Sequence, residues 1–242
     1  MIVAVIPARG GSKRIPGKNI REFAGHPIMS YSIEAAKASQ LFDRIIVSTD
    51  DTDIAAMARK LGAETPFVRP VEISDDHTGT NAVVQHAIEW LTKNDKPVSY
   101  ACCIYATAPF VRPRYLREGF ELLRSSNKSF AFSVTSFAFP VQRAIRIGRD
   151  GELNAMYPEM AAVRSQDLEE AYHDAGQFYW GRASAFLSGT PMFSPESIPV
   201  ILPRYLVQDI DTMEDWHRAE LMYDALRESG FFKNVNASSQ RR

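Results

Sequence analysis

The chain has 242 residues, 45% hydrophobic and 24% charged, with a formal net charge of −1 at pH 7. That length buries enough core for one large domain, and the near-neutral balance excludes the global attraction to nucleic acid or anionic lipid that a strongly basic chain carries. No apolar run approaches the ~20 residues of a membrane span, the opening run is too short for a secretory signal, and a disulfide between the adjacent Cys102 and Cys103 would be strained, so the expectation is a cytoplasmic protein with no membrane or nucleic-acid partner.

Short apolar runs alternate with helical patterns along the first half of the chain. "MIVAVI" predicts a strand over 2–6, "RIIVS" over 44–48, "YACCIY" over 100–105 and "SFAFSV" over 129–134, each continuous enough to be covered on both faces. Between them, Pro27 stands at the first helical position before "IMSYSIEAAKAS". Asp51 or Thr52 caps "DIAAMARKLG", and "TNAVVQHAIEWLTK" and "PRYLREGFELLRSS" supply two further helices. This alternation predicts an α/β fold of three layers around a mostly parallel sheet, with ligands bound beyond the carboxyl ends of the strands.

After about residue 135 the rhythm breaks. "VQRAIRIGRDGELN" reads as a hairpin around Asp150-Gly151, and "QFYWGRASAF" returns as a strand and short helix. The segment from about 138 to 185 is therefore an excursion, a lid, a dimer arm or both, on a body spanning 1–230. Phe130, Phe132, Phe137 and Phe139 alternate as one strand face does, which points to core or dimer packing. "DTMEDWHRAELMYDALRES" closes the fold as a helix that Asp211 can cap, with Glu214 completing a capping box, and 231–242 is a polar tail ending in "NVNASSQRR".

The stretch "PARGGSKRIPGKN" concentrates Arg9, Lys13, Arg14 and Lys18 directly after the first strand, with no acidic residue among them. Gly10 and Gly11 let backbone N–H groups approach a bound group closely, and the cations beyond them supply charge-assisted bonds to phosphate oxygens, so a triphosphate is the expected anion. The G-x-G-x-x-G fingerprint is missing, and the G-x-x-x-x-G-K-S/T pattern fails at Ser12 and Asn19. Toward the other end, "QDIDTMED" places Asp209 and Asp211 two apart, so an extended segment points both side chains the same way, and such hard carboxylate oxygens suit Mg²⁺.

"IPARGGSKRIPGKNI", with "VSTDDTDIA", "FVRPVEISDD", "HTGTNAVVQHAIEWL" and "VQDIDTMEDW" in the same order, resembles the cytidylyltransferases that activate nonulosonic acids, the CMP-sialic acid synthetase family, along almost the whole chain. The pieces "YATAPF" and "YHDAGQFYWG" are most similar to the branch acting on pseudaminic acid. The resemblance implies a Rossmann-like nucleotide-diphospho-sugar transferase fold and a homodimer. It also implies a reaction in which the anomeric hydroxyl of a nine-carbon α-keto acid sugar attacks the α-phosphate of CTP.

The same resemblance puts Ala8, Arg9, Gly10, Gly11, Ser12, Lys18, Asn19, Arg69 and Thr80 around the nucleotide, with Lys13 and Arg14 one layer back. Arg9, Lys18, Asp209 and Asp211 carry the reaction in that reading, and the two aspartates hold Mg²⁺.

On the sugar side the resemblance assigns Tyr105, Thr107, Arg164, Gln166, Asp167, His173 and Gln177, with Arg164 paired to the sugar carboxylate. Sialic-acid relatives carry Q-P-T-S-P and an arginine where this chain has Tyr105-Ala106-Thr107-Ala108-Pro109 and His173. That difference points to a sugar with fewer hydroxyls and more apolar substituents, with Tyr105 and Phe110 suited to a methyl group. His86 and His217 sit in helical patterns and read as packing or surface residues, and no Cys/His spacing indicates zinc. Asp50 and Asp51, after "VST", either meet the ribose or cap the next helix, and capping is the stronger reading. Sibling sugar specificities, a silent nucleotide-binding protein and a nicotinamide-dependent oxidoreductase are the competing functions, the last disfavoured by the missing dinucleotide fingerprint.

Overall fold

Ile2–Pro7 forms β1, and its side chains alternate between two cores: Ala4 and Ile6 join one cluster, Val3 and Val5 the other. The computed structural model of the protein describes residues 1–75 and 78–232. After β1 come the two-residue strands β2 (Glu22–Phe23) and β3 (His26–Pro27), then α1 (Ile28–Ser39), β4 (Arg44–Ser48), α2 (Thr52–Lys60), α3 (Thr80–Asn94), β5 (Tyr100–Ile104), α4 (Pro113–Arg124) and β6 (Phe130–Ser136). The short hairpin β7 (Ile145–Ile147) and β8 (Leu153–Ala155) precedes β9 (Tyr172–Arg182), α5 (Ala183–Leu187), β10 (Ser197–Ile201) and α6 (Met213–Glu228).

Six strands make one sheet in the order β10-β6-β9-β5-β1-β4. β1 pairs in parallel with both β4 and β5, and β10 pairs in parallel with β6. β9 is the exception, antiparallel to β5 and to β6. Its sense follows from the excursion, which leaves the end of β6 and returns beside it, pairing Ser136 with Tyr172. A bulge then shifts the register between the pairs Phe132–Tyr179 and Val134–Asp174, a feature common beside functional sites. Residues of α1, α4 and α6 pack in the first core cluster and those of α3 and α5 in the second, giving three layers. Cys102 and Cys103 are both free and buried, one in each cluster, so successive side chains of β5 face opposite sides of the sheet.

Several local expectations shift. Pro27 is the residue before α1 and pairs in β3, so it does not occupy the first helical turn. The cap of α6 is Thr212, whose Oγ1 accepts from Asp215 N at 3.2 Å while Asp215 Oδ2 accepts from Thr212 N at 2.8 Å. The expected cap Asp211 and partner Glu214 are each displaced by one residue, which leaves the Asp211 carboxylate outside the helix. Phe130 and Phe132 are buried, but β6 ends at Ser136, and Phe139 is 82% exposed. Phe231 and Phe232, at the start of the expected tail, pack with Tyr205 and Tyr223. The expectation for 233–242 lies outside the described residues.

Candidate active site

The basic loop is built by a turn that its sequence specifies. Ile15 is fully buried, Pro16 follows it, and Gly17 has φ +63°, while Lys18 N donates to Ile15 O at 3.1 Å. That is a type II turn with proline and glycine in the positions it favours, and only glycine takes the positive φ without strain. The turn aims Lys18 into a cleft, and the buried Asn19 donates from Nδ2 to Arg9 O at 2.9 Å, which fixes the far side of the loop. Gly10 is required by contact: a Cβ there would lie 2.6 Å from Asp51 Oδ2. Its N–H donates to Asp50 Oδ1 at 3.1 Å, so this amide is committed within the protein, against the expectation that it faces a phosphate. At Gly11 a Cβ would meet nothing within 4 Å, so the space there is open to a ligand. Ala8 is buried, its N–H bonded to Ser48 O, and serves the sheet.

Beyond the carboxyl ends of β1 and β5 lies a cleft of about 580 Å³ lined by Arg9, Ser12, Lys18, Asn19, Arg69, Thr80, Tyr105 and Thr107. Lys13 and Arg14 line it too, closer in than expected, and so does Asp211 from the other end of the chain. Asp211 Oδ1 is 3.1 Å from Arg14 NH2 and 3.4 Å from Lys18 Nζ. Arg69 is 4% exposed, and burial, its largest influence, pushes its pKa down.

A second cleft, about 500 Å³, is lined by His173, Asp174, Arg204, Gln208, Asp209, Asp215 and Arg218, and again by Asp211. Asp211 thus stands where the two clefts adjoin, while Asp209 faces the second alone. Although Asp209 has an open edge toward that cleft, the protein around it pushes its carboxyl pKa up by desolvation, with the charge of Asp211 next in size. A third, smaller cavity of about 260 Å³ shares Thr80 and Tyr105 with the first cleft and Asp174 with the second, and Tyr179, Met192 and Phe193 complete its apolar side. Tyr179 donates its hydroxyl to Asp174 Oδ2 at 2.6 Å.

Sequence reasoning missed Asp174, Asp215, Arg204 and Arg218. Asp174 could have been found from its Asp-Ala-Gly turn, since its Oδ1 accepts from Gly176 N at 2.9 Å. Other expected residues lie elsewhere. Gln177 is buried in the wall and donates to Leu206 O, so it does not reach the sugar side. Phe110 is 1% exposed and belongs to the core, which corrects its reading as a methyl-group contact. Arg164, Gln166 and Asp167 occupy an exposed 3₁₀ turn in the excursion, line none of these cavities, and Arg164 Nε is bound to Asp167 Oδ2 at 2.7 Å. Within one chain this corrects the pairing of Arg164 with the sugar carboxylate.

A family model described as cytidylyltransferase matches residues 3–234. The chain belongs to the cytidylyltransferase family. It is 44% identical over 229 residues to a pseudaminic acid cytidylyltransferase of Campylobacter jejuni, a match covering 95% of this chain and 99% of that protein. A CMP-N,N'-diacetyllegionaminic acid synthase of Legionella pneumophila is 32% identical over 238 residues, 94% of this chain and 98% of that one. Among solved structures, a CMP:2-keto-3-deoxy-manno-octonic acid synthetase complexed with CTP superposes with a TM-score of 0.65 at 18% identity, covering 93% of this chain and 98% of that one, which shows the shared fold of this cytidylyltransferase.

Proposed function

We propose that the protein transfers CMP from CTP to the anomeric hydroxyl of pseudaminic acid, forming CMP-pseudaminic acid and pyrophosphate. The observation that carries this reading is Asp211, which lines both clefts and touches Arg14 and Lys18 of the basic loop. The first cleft takes the nucleotide. Displacement at the α-phosphorus calls for positioning and charge neutralisation more than for a protein nucleophile, and Arg9, Arg14 and Lys18 supply the cations where pyrophosphate leaves. The second cleft takes the sugar acid, so that its hydroxyl oxygen forms the new bond to phosphorus as the bond to the β-phosphate breaks. Asp209 faces only that side and has a raised carboxyl pKa, which makes it the better placed of the pair to take the hydroxyl proton. Identity of 44% to a protein named for pseudaminic acid, and the apolar side that Tyr179, Met192 and Phe193 give the third cavity, support a sugar with apolar substituents.

Mg²⁺ fits the donor set. Asp209 and Asp211 stand two residues apart and both line the second cleft, the Asp209 carboxyl pKa being raised first by desolvation and then by the charge of Asp211, and among the described residues no group of three or more His, Cys, Asp or Glu side chains could hold a metal by itself. Asp211, with Asp209 beside it, would hold such an ion through hard carboxylate oxygens, and when bound it would supply neutralisation of phosphate charge.

The reading includes a homodimer. Phe139, Ile147 and Leu153 of the excursion are 82%, 74% and 68% exposed, an apolar face of the kind that marks an interface. A cytoplasmic setting accords with two unpaired buried thiols. Among the described residues, no helix is long and apolar enough to cross a membrane. The test is a substrate panel: CTP and UTP against pseudaminic, legionaminic, sialic and 3-deoxy-manno-octulosonic acids, with the CMP-sugar measured. CTP with pseudaminic acid should turn over fastest; a faster sibling acid would overturn the sugar assignment, and no turnover with any acid would overturn the reaction.

A further inference from the structure

We infer that Asp50 is a positioning residue for the nucleotide: one carboxylate oxygen ties the glycine-containing loop after β1 to the buried Arg69 and holds that guanidinium against the first cleft. Asp50 and Asp51 follow β4 and face different tasks. Asp51 is committed to α2, its Oδ1 accepting from Asp53 N at 2.8 Å and Ile54 N at 2.9 Å. Asp50 Oδ1 instead accepts from Gly10 N at 3.1 Å and Arg69 NH2 at 3.5 Å. The main chain repeats the link, because Arg69 N donates to Thr49 O at 2.8 Å.

Arg69 needs such a partner. Its side chain is 3% exposed, and Nε is buried with no hydrogen-bond partner among the described residues. A desolvated guanidinium is costly unless a counter-charge and acceptors face it, and Asp50 is the largest influence opposing the downward push of burial on its pKa. Arg69 lines the nucleotide cleft, whereas Asp50 lines a separate cavity beside Thr52 and Phe67. Asp50 therefore acts on the nucleotide through Arg69 and the loop. The close approach of this corner to the loop is what forbids a side chain at position 10, where a Cβ would meet Asp51 at 2.6 Å. With the carboxylate gone, the loop and Arg69 lose their shared anchor, and CTP must order both.

This inference rests on the first cleft being the nucleotide site, so the experiment is calorimetric titration with CTP and Mg²⁺, without sugar acid. The proteins are the wild type, Asp50→Asn, Arg69→Met and the double variant. Asp50→Asn should weaken CTP binding about tenfold when Arg69 is intact and less than about threefold when it is introduced into the Arg69→Met protein, since a residue acting through Arg69 is silent without it. The KM for the sugar acid should stay unchanged in Asp50→Asn. Equal losses with and without the guanidinium, or wild-type affinity in Asp50→Asn, would overturn the inference; failure of the wild type to bind CTP would overturn the nucleotide reading as well. If Asp50→Asn does not fold, Asp50→Ser is held to the same pattern.

Discussion

Lys18 and Asp211, 193 residues apart in the chain, meet across the first cleft with Nζ 3.4 Å from Oδ1. The amino-terminal cations and the carboxyl-terminal carboxylates are therefore parts of one site. Asp211 answers the positive charge of the loop, and on the proposed reading the phosphates of CTP compete for the same cations.

That competition fixes a sign. In the absence of divalent metal, Asp211→Asn should bind CTP about two- to fivefold more tightly than wild type, the range expected for releasing a partly exposed ion pair. With metal present, the same variant should lose about 10²–10³ in kcat. Calorimetry in a chelator and steady-state rates check the two halves.

Asp209 makes a pH prediction. Its carboxyl pKa is raised in the fold, first by desolvation and then by Asp211. A raised pKa means that the stability tied to the protonated form is full below the unfolded value of about 4 and is lost as pH rises through the folded value. Without metal or nucleotide, Asp209→Asn should therefore melt above wild type at pH 7, with the gap closing near pH 3, while turnover falls. Thermal melts across that window decide it; a variant less stable at pH 7 would contradict the electrostatic account.

Thr212→Ala should cost about 1 kcal/mol of stability through loss of the α6 cap. Asp215 Oδ2 also accepts from Asp211 N at 3.2 Å, so loosening the cap should lower kcat too. Denaturant melts and rates on one preparation test both effects.

The exposed face of the excursion predicts a change of oligomeric state. On the proposed homodimer reading, Ile147→Lys should shift sedimentation from dimer to monomer while leaving CTP binding within about twofold, because Ile147 is 74% exposed and lies outside the first cleft.

Much of the frame was legible because it rests on local patterns. The limits of β4 follow "RIIVS" residue for residue, and Asp51 caps α2 because its side chain can reach two amides of the first turn. β10 escaped because it is a short edge strand containing Pro199, which the sheet tolerates only at an edge. The sense of β9 depends on where the excursion returns, which spacing does not record. Within the site, the glycine loop and the aspartate pair stood out as motifs. Asp50 stood out only as a ribose contact or helix cap, because its link to Arg69 joins residues distant in sequence, and Asp174 and Asp215 did not stand out, since each acts through a turn closed on itself. Arg164 was legible as a candidate, but one chain does not bring it to its own clefts.

The most direct test is pyrophosphate release after mixing CTP, Mg²⁺ and pseudaminic acid with wild type and with Asp211→Ala. The account predicts stoichiometric pyrophosphate and CMP-sugar from the wild type, and almost none from a variant that still binds CTP. Undiminished release by Asp211→Ala would contradict the claim that the two clefts work through this carboxylate.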